Sequence, residues 1–273
     1  MRIRLVVTDL DGTLLRDDLS VSPRTRAALD GVRKAGVRVV PVTARQPIGV
    51  RHIAEDAGFE DWAICSNGSL GVHLGTGEQL WETHLAVQAQ QALVKALVTA
   101  VPGVLCASVR DGGDKFVAQE GYSSIATYDD HKRDVTTMGN HPVADVLAEP
   151  SLKLILRHPE IGAEDLRLRL DELGLGGFSV TSSGAPFLEV MSEGITKAWG
   201  VARLCSLLGI EPREVMAFGD ALNDVEMLTW AGRGVAVANA HPGTRAVADE
   251  VTASNMDDGV AQALELLVEQ QGH

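Results

Sequence analysis

Residues 3–14 read Ile3-Arg4-Leu5-Val6-Val7-Thr8-Asp9-Leu10-Asp11-Gly12-Thr13-Leu14. A β-rich apolar run up to Thr8 ends on two carboxylates one residue apart, with a glycine behind them. Branched side chains such as Val and Ile favour a pleated strand. The run is continuous and does not alternate with polar residues, the pattern of a strand buried on both faces of a parallel sheet. In open parallel sheets ligands bind beyond the carboxyl ends of the strands. Asp9 and Asp11 fall at such an end.

The same grammar extends outward. Ser22 is placed to cap a helix whose first residue is Pro23 and which stops at Gly36. Residues 37–42 form a second apolar strand ending at Thr43. Residues 48–57 read as a helix closed by Gly58, and residues 62–65 as a third strand entering Ser66-Asn67-Gly68. The rhythm returns late in the chain. A helix over 196–208 stops at Gly209, and a buried strand over 215–218 runs into Gly219-Asp220. A helix over 223–231 and strands at 234–238 and 250–253 follow. The expected fold is α/β, a doubly wound, Rossmann-like parallel-sheet core formed by residues 1–80 and 191–273. Residues 81–190 break the rhythm. A helix (87–100), strands at 104–109 and 115–119 joined across Asp111-Gly112-Gly113, strands at 152–156 and 178–181, and a helix at 163–173 predict an inserted α+β domain.

Composition narrows the partners. The chain has 273 residues, 45% of them hydrophobic, enough for a sizeable core. Its formal net charge of −13 argues against a nucleic-acid partner, which needs clustered Lys and Arg. A phosphorylated small molecule is still compatible, with a bound divalent cation to offset local repulsion. Cys65, Cys106 and Cys205 are widely spaced, without a C-x-x-C pair, and read as buried thiols in a reducing compartment. The longest apolar stretch, residues 96–109, is interrupted by Pro102-Gly103 and is shorter than the roughly 20 residues that span a bilayer. No secretory signal opens the chain. A soluble, cytoplasmic protein with no membrane partner is expected.

Four polar groups from distant positions converge in this topology: Asp9 with Asp11, Thr43, Lys197, and Asp220 with Asn223 and Asp224. They suit phosphoryl transfer. A carboxylate such as Asp9 can attack phosphorus, provided its repulsion from the phosphate is offset by a cation such as Mg²⁺. Asp9 and Asp220 can offer Mg²⁺ two hard oxygen ligands. Asp11 can act as acid and then base, Lys197 can face phosphate oxygens, and Thr43 offers a hydroxyl at a turn of N–H donors. A calcium loop starting at Asp9 would need Asp or Asn at 13, Gly at 14 and Glu at 20, where the chain has Thr13, Leu14 and Ser20.

Asp9-Leu10-Asp11-Gly12-Thr13-Leu14, Thr43-Ala44-Arg45, Lys197, and Gly219-Asp220 with Asn223-Asp224 together resemble the four ordered motifs of the haloacid dehalogenase superfamily. Ser66-Asn67-Gly68, the large insertion and Asp257-Asp258-Gly259-Val260 resemble its Cof-type sugar-phosphatase branch. The resemblance implies Asp9 as nucleophile and Asp11 as acid/base. It implies phosphate contacts from Thr43, the Ala44 N–H, Lys197 and Asn223. Mg²⁺ would be held by Asp9, the Asp11 carbonyl and Asp220, with Asp224 as an outer partner. Ala44 departs from the glycine common at its position, and its methyl would narrow the approach for a bulky leaving group. The insertion would be a cap closing over the site, with Lys115, Glu120, Lys153 and Arg157 as candidates for touching the leaving group.

The expected activity is therefore a Mg²⁺-dependent phosphomonoester hydrolase acting on a small phosphorylated metabolite such as a sugar phosphate. A phosphomutase is the near rival. An Asp-phosphorylated signalling protein is disfavoured by Asp11 and the insertion, and a non-catalytic phospho-ligand binder by the intact set of catalytic residues.

Overall fold

The computed structural model describes residues 2–271. Its central sheet has five parallel strands in the order Glu250–Val251, Arg233–Ala236, Val215–Gly219, Leu5–Thr8 and Arg38–Pro41. Leu5 pairs with Val215 on one side and Arg38 on the other, so Leu5, Val6 and Val7 are wholly buried. Position inside the sheet, with both faces covered, explains why this segment has no polar alternation. Helix Pro23–Lys34 packs along Gly259–Gln271, and helix Lys197–Leu208 packs on Val225–Trp230. The terminal helix and the short helix Pro242–Val247 were not foreseen from the sequence. Ser22 caps the first helix as expected, accepting the Thr25 N–H.

The strand Trp62–Cys65 departs from the expected parallel arrangement. It touches the central sheet through one parallel bridge, Val42 to Ile64, and otherwise heads an antiparallel sheet with Leu70–His73 and Gln79–Glu82. Asn67 and Gly68 turn the chain back with φ of 54° and 102°, and such tight reversal permits a direct antiparallel return.

The insertion forms its own antiparallel sheet in the order Lys115–Ala118, Leu105–Arg110, Lys153–Arg157, Leu188–Ser192 and Phe178–Thr181. The expected divisions at 80/81 and 190/191 both fall inside strands. Pairing assigns all of Gln79–Glu82 to the core-side sheet and all of Leu188–Ser192 to the insertion. Strand periodicity sorts the insertion's side chains. Leu154, Leu156, Leu188 and Val190 pack with Leu93, Leu97, Leu166 and Leu170 of helices Val87–Ala100 and Ala163–Glu172. The alternating neighbours Lys153, Ile155 and Glu189 line a cavity that also reaches Asp9. Among the described residues no helix is long and apolar enough to cross a membrane.

Gly68 lets two segments far apart in the chain meet at close range. A Cβ there would lie 2.1 Å from the Thr196 carbonyl oxygen, and its φ is in the left-handed region. Gly68→Ala is therefore expected to cost about 3 kcal/mol or more and to lower the melting temperature by several degrees. Thermal unfolding followed by circular dichroism checks this, and a wild-type melting temperature would contradict it.

Candidate active site

Asp9 follows the last residue of strand Leu5–Thr8, and its N–H is held by the Phe218 carbonyl at 3.0 Å. The chain then turns tightly, closed by Leu15 N–H to Leu10 O at 2.9 Å. Gly12 adopts φ 73°, and a Cβ on it would lie 2.6 Å from an Asp220 oxygen. The turn thereby brings the Thr13 hydroxyl within 2.6 Å of Asp220 Oδ1. The approach is so close that only glycine fits at 12.

Lys197 begins helix Lys197–Leu208, whose N-cap is Thr196, an acceptor for the Trp199 N–H. Its side chain is fully buried. Nζ lies 2.8 Å from Asp9 Oδ1 and 2.7 Å from Asp224 Oδ1. The other Asp224 oxygen accepts the Asp220 and Ala221 N–H groups, each at 3.0 Å. A Cβ on Gly219 would lie 2.4 Å from Asp224 Cβ, so the strand Val215–Gly219 must end in glycine for this bend to form.

Carboxylate oxygens of Asp9, Asp220 and Asp224 lie within 4.8 Å of one another. Burial raises the Asp9 carboxyl well above its ordinary value; Lys197 opposes this, and Asp224 and Asp220 add to it. Asp220 is pushed up to about 6 by burial and by Asp224, against the Thr13 hydrogen bond and Lys197. Burial alone would lower Lys197, but the charges of Asp224 and Asp9 hold it above its ordinary value. One ammonium thus serves three carboxylates, and a divalent cation fits the surplus negative charge and the hard oxygen donors. Asp224 already uses both oxygens, so Asp9 and Asp220 are the carboxylates best able to take an ion.

A cavity of about 320 Å³ opens beside this centre, lined on the core side by Asp9, Asp11, Thr43, Ala44, Arg45 and Asn223. Lys197 and Asp220 border an adjoining hollow that shares Asn223. All the residues singled out from the core motifs therefore meet at one place. The Thr43 hydroxyl accepts the Arg45 N–H at 3.1 Å and keeps its own hydrogen to donate. Asn223 Nδ2 donates to Asn67 Oδ1 at 3.0 Å. The Asp11 side chain is absent from the cluster of Asp9, Asp220 and Asp224, because it pairs with Arg45, whose Nε lies 2.6 Å from Asp11 Oδ2.

The insertion's candidates divide. Lys153 lines the cavity and donates to the Ala44 carbonyl at 2.9 Å, and Arg157 lies behind it on Asp130. Lys115 is half exposed and near Glu149, and Glu120 is exposed; neither lines the cavity. Sequence reasoning assigned no role to Arg45, Thr13, Asn67 or Glu189. Glu189 did carry a signal, a lone carboxylate within the apolar run Phe187-Leu188-Glu189-Val190-Met191.

A family profile for haloacid dehalogenase-like hydrolases matches residues 6–264. The chain belongs to that family of hydrolases. Over 264 residues it is 29% identical to the 5-amino-6-(5-phospho-D-ribitylamino)uracil phosphatase of Bacillus subtilis, covering 96% of this chain and 94% of the relative. A solved phosphatase of the haloalkanoate superfamily from Bacteroides thetaiotaomicron superposes with a TM-score of 0.82 at 25% identity, covering 97% of this chain and 95% of that one. A solved subclass IIB sugar phosphatase shares the fold, with a TM-score of 0.81 at 22% identity over 96% of this chain and 98% of that one.

The raised carboxyls have a consequence for stability. Between about pH 4 and pH 6 the folded, metal-free protein holds a proton on Asp220 that the unfolded chain has released, so stability falls as pH rises through this window. Asp220→Asn removes that term. In chelator at pH 7.5 it is expected to be about 1–2 kcal/mol more stable than wild type, with a smaller difference at pH 4.5. Urea unfolding at both pH values checks this, and equal stability at pH 7.5 would contradict it.

Proposed function

We propose that the protein is a Mg²⁺-dependent phosphomonoester hydrolase that acts on small phosphorylated metabolites of the sugar or polyol phosphate class through an aspartyl-phosphate on Asp9. The observation that carries this reading is the Asp9 carboxylate at the edge of a cavity, tied to a buried ammonium and crowded by two further carboxylates. The B. subtilis relative is named for a substrate with a phosphorylated ribityl chain, and the subclass IIB neighbour is named a sugar phosphatase. Both names support the substrate class.

The residues divide the work as follows. An Asp9 oxygen attacks phosphorus, and the bond from phosphorus to the ester oxygen breaks. Asp11 gives its proton to the departing oxygen, then takes one from the water that attacks the aspartyl-phosphate and releases inorganic phosphate. Arg45 donates to both Asp11 oxygens, from Nε and Nη2, which holds the carboxylate ready for the base step; in the acid step Asp11 carries a proton and one of these bonds opens. Lys197, the Thr43 hydroxyl, the Ala44 N–H and Asn223 hold the transferring oxygens. Asp9 and Asp220 would hold Mg²⁺ together with the Asp11 carbonyl, and Asp224 would fix Lys197 beside them. Bound there, the ion neutralises the repulsion between carboxylate and phosphate. Enclosure by the insertion excludes bulk water from the reacting atoms.

Phosphate release from a panel of sugar, polyol and nucleotide monophosphates tests the proposal. Turnover is expected with Mg²⁺ and absent with chelator. Asp9→Asn should lower kcat by about 10³-fold or more, and Asp11→Asn by about 10²- to 10⁴-fold. Turnover that survives Asp9→Asn would overturn the assignment. Conversion of one sugar phosphate to its isomer without phosphate release would instead indicate a mutase.

A further inference from the structure

The cavity wall that the insertion contributes has an unusual charge pattern. Every Lys and Arg that lines the cavity among the described residues is already ion-paired. Lys153 is buried against Glu189, also buried. Lys132 lies 3.7 Å from Asp129 at the rim, and Arg45 is committed to Asp11. Just behind the wall Arg157 lies 2.6 Å from Asp130. Burial raises the Glu189 carboxyl, but the Lys153 charge and hydrogen bond, with further hydrogen bonds from Ser183 and Asn67, more than offset it and keep it below its ordinary value. The Lys153–Glu189 pair is thus ionic yet neutral as a unit.

The remaining wall is aromatic and uncharged. His131 stacks on Phe187 with centroids 4.6 Å apart and planes 2° from parallel, and its ring nitrogen meets the Tyr122 hydroxyl at 3.1 Å. Burial lowers His131 to about 4, with the Lys153 charge adding to the effect, so the ring is neutral near pH 7. A flat apolar face beside paired polar groups suits a molecule that is part C–H and part hydroxyl.

Resting on the phosphatase reading above, we infer that the insertion selects an uncharged, hydroxyl-bearing leaving group, and that Glu189 sets this selectivity by neutralising Lys153. A second anionic group on the substrate would be buried with no free cation to receive it, which is costly. It would also lie near the Glu189 carboxylate, which is part of the cavity lining. The selectivity is therefore for phosphomonoesters of neutral polyols and sugars, against bisphosphates and phosphorylated carboxylic acids. Lys153 is held in place by the Ala44 carbonyl as well as by Glu189, so it would stay in the cavity if Glu189 lost its charge.

Sorbitol 6-phosphate and 6-phosphogluconate provide the test, since they share an open hydroxylated chain and differ at the end remote from the phosphate, CH₂OH against carboxylate. The wild-type protein is expected to prefer sorbitol 6-phosphate by about tenfold or more in kcat/KM. Glu189→Gln frees the Lys153 charge and should shrink that preference at least about fivefold, chiefly by improving kcat/KM for the carboxylate. The Lys153→Gln/Glu189→Gln double variant removes both charges and should restore the preference. Equal wild-type turnover of the two compounds would overturn the inference. So would a preference unchanged by Glu189→Gln in protein with wild-type circular dichroism, and should that variant not fold, the double variant must still show the preference. p-Nitrophenyl phosphate, which lacks the hydroxylated chain, separates the two levels: with Mg²⁺ and no turnover of any of the three compounds, the phosphatase reading falls and takes this inference with it.

Discussion

A buried ammonium, Lys197 Nζ, lies within 2.8 Å of Asp9 and 2.7 Å of Asp224, and three segments far apart in the chain must meet for it to exist. Burial of a charge is tolerated only when it is paired and hydrogen-bonded. The fold supplies that pairing at the ends of adjacent parallel strands. Leu5–Thr8 delivers Asp9, and Val215–Gly219 delivers the turn that ends in Asp224. The start of helix Lys197–Leu208 is pressed against Gly68 so that the lysine reaches both. Removing Lys197 would leave Asp9 and Asp224 without their cation in the interior, which makes the centre a structural keystone as well as a candidate reaction site.

The same centre is incomplete electrostatically. Burial, together with the crowding of Asp9, Asp220 and Asp224 that Lys197 only partly offsets, raises Asp9 and Asp220 above their ordinary values, a cost the folded chain carries when no cation is bound. Strain of this kind is expected where stability is traded for a site poised to bind a cation and a phosphate. On the opposite wall the design reverses, since Lys132 and Lys153 each lie beside a carboxylate, as does Arg157 just behind them. One end of the cavity is built for charge and the other for its absence.

Much of this was legible in the sequence because local chemistry dictates it. An unbroken apolar run ending at Asp9, glycines at 12 and 219 and the cap at Ser22 each have one sensible local structure, and the core motifs converge as the strand order requires. The insertion was less legible. Its antiparallel pairing depends on contacts distant in sequence, such as Lys153–Arg157 between Leu105–Arg110 and Leu188–Ser192, which periodicity in one segment does not reveal. Strand Leu188–Ser192, and Glu189 with it, is hidden in the sequence for that reason. Lys115 and Lys153 look alike as residues, and only the sheet's alternation sends Lys153 to the cavity while Lys115 stays half exposed. The Asp11–Arg45 pair was equally hidden, because a turn and a helix entrance must be placed before the two side chains can be seen to touch.

The central claim is that Asp9 is the atom donor to phosphorus, and mass spectrometry of an acid-quenched turnover reaction tests it most directly. A phosphoryl adduct of about 80 Da on the peptide containing Asp9, appearing within the first turnover and lost as product accumulates, is the predicted result. Turnover with no adduct at Asp9 at any quench time, or with the adduct on another residue, would contradict the account.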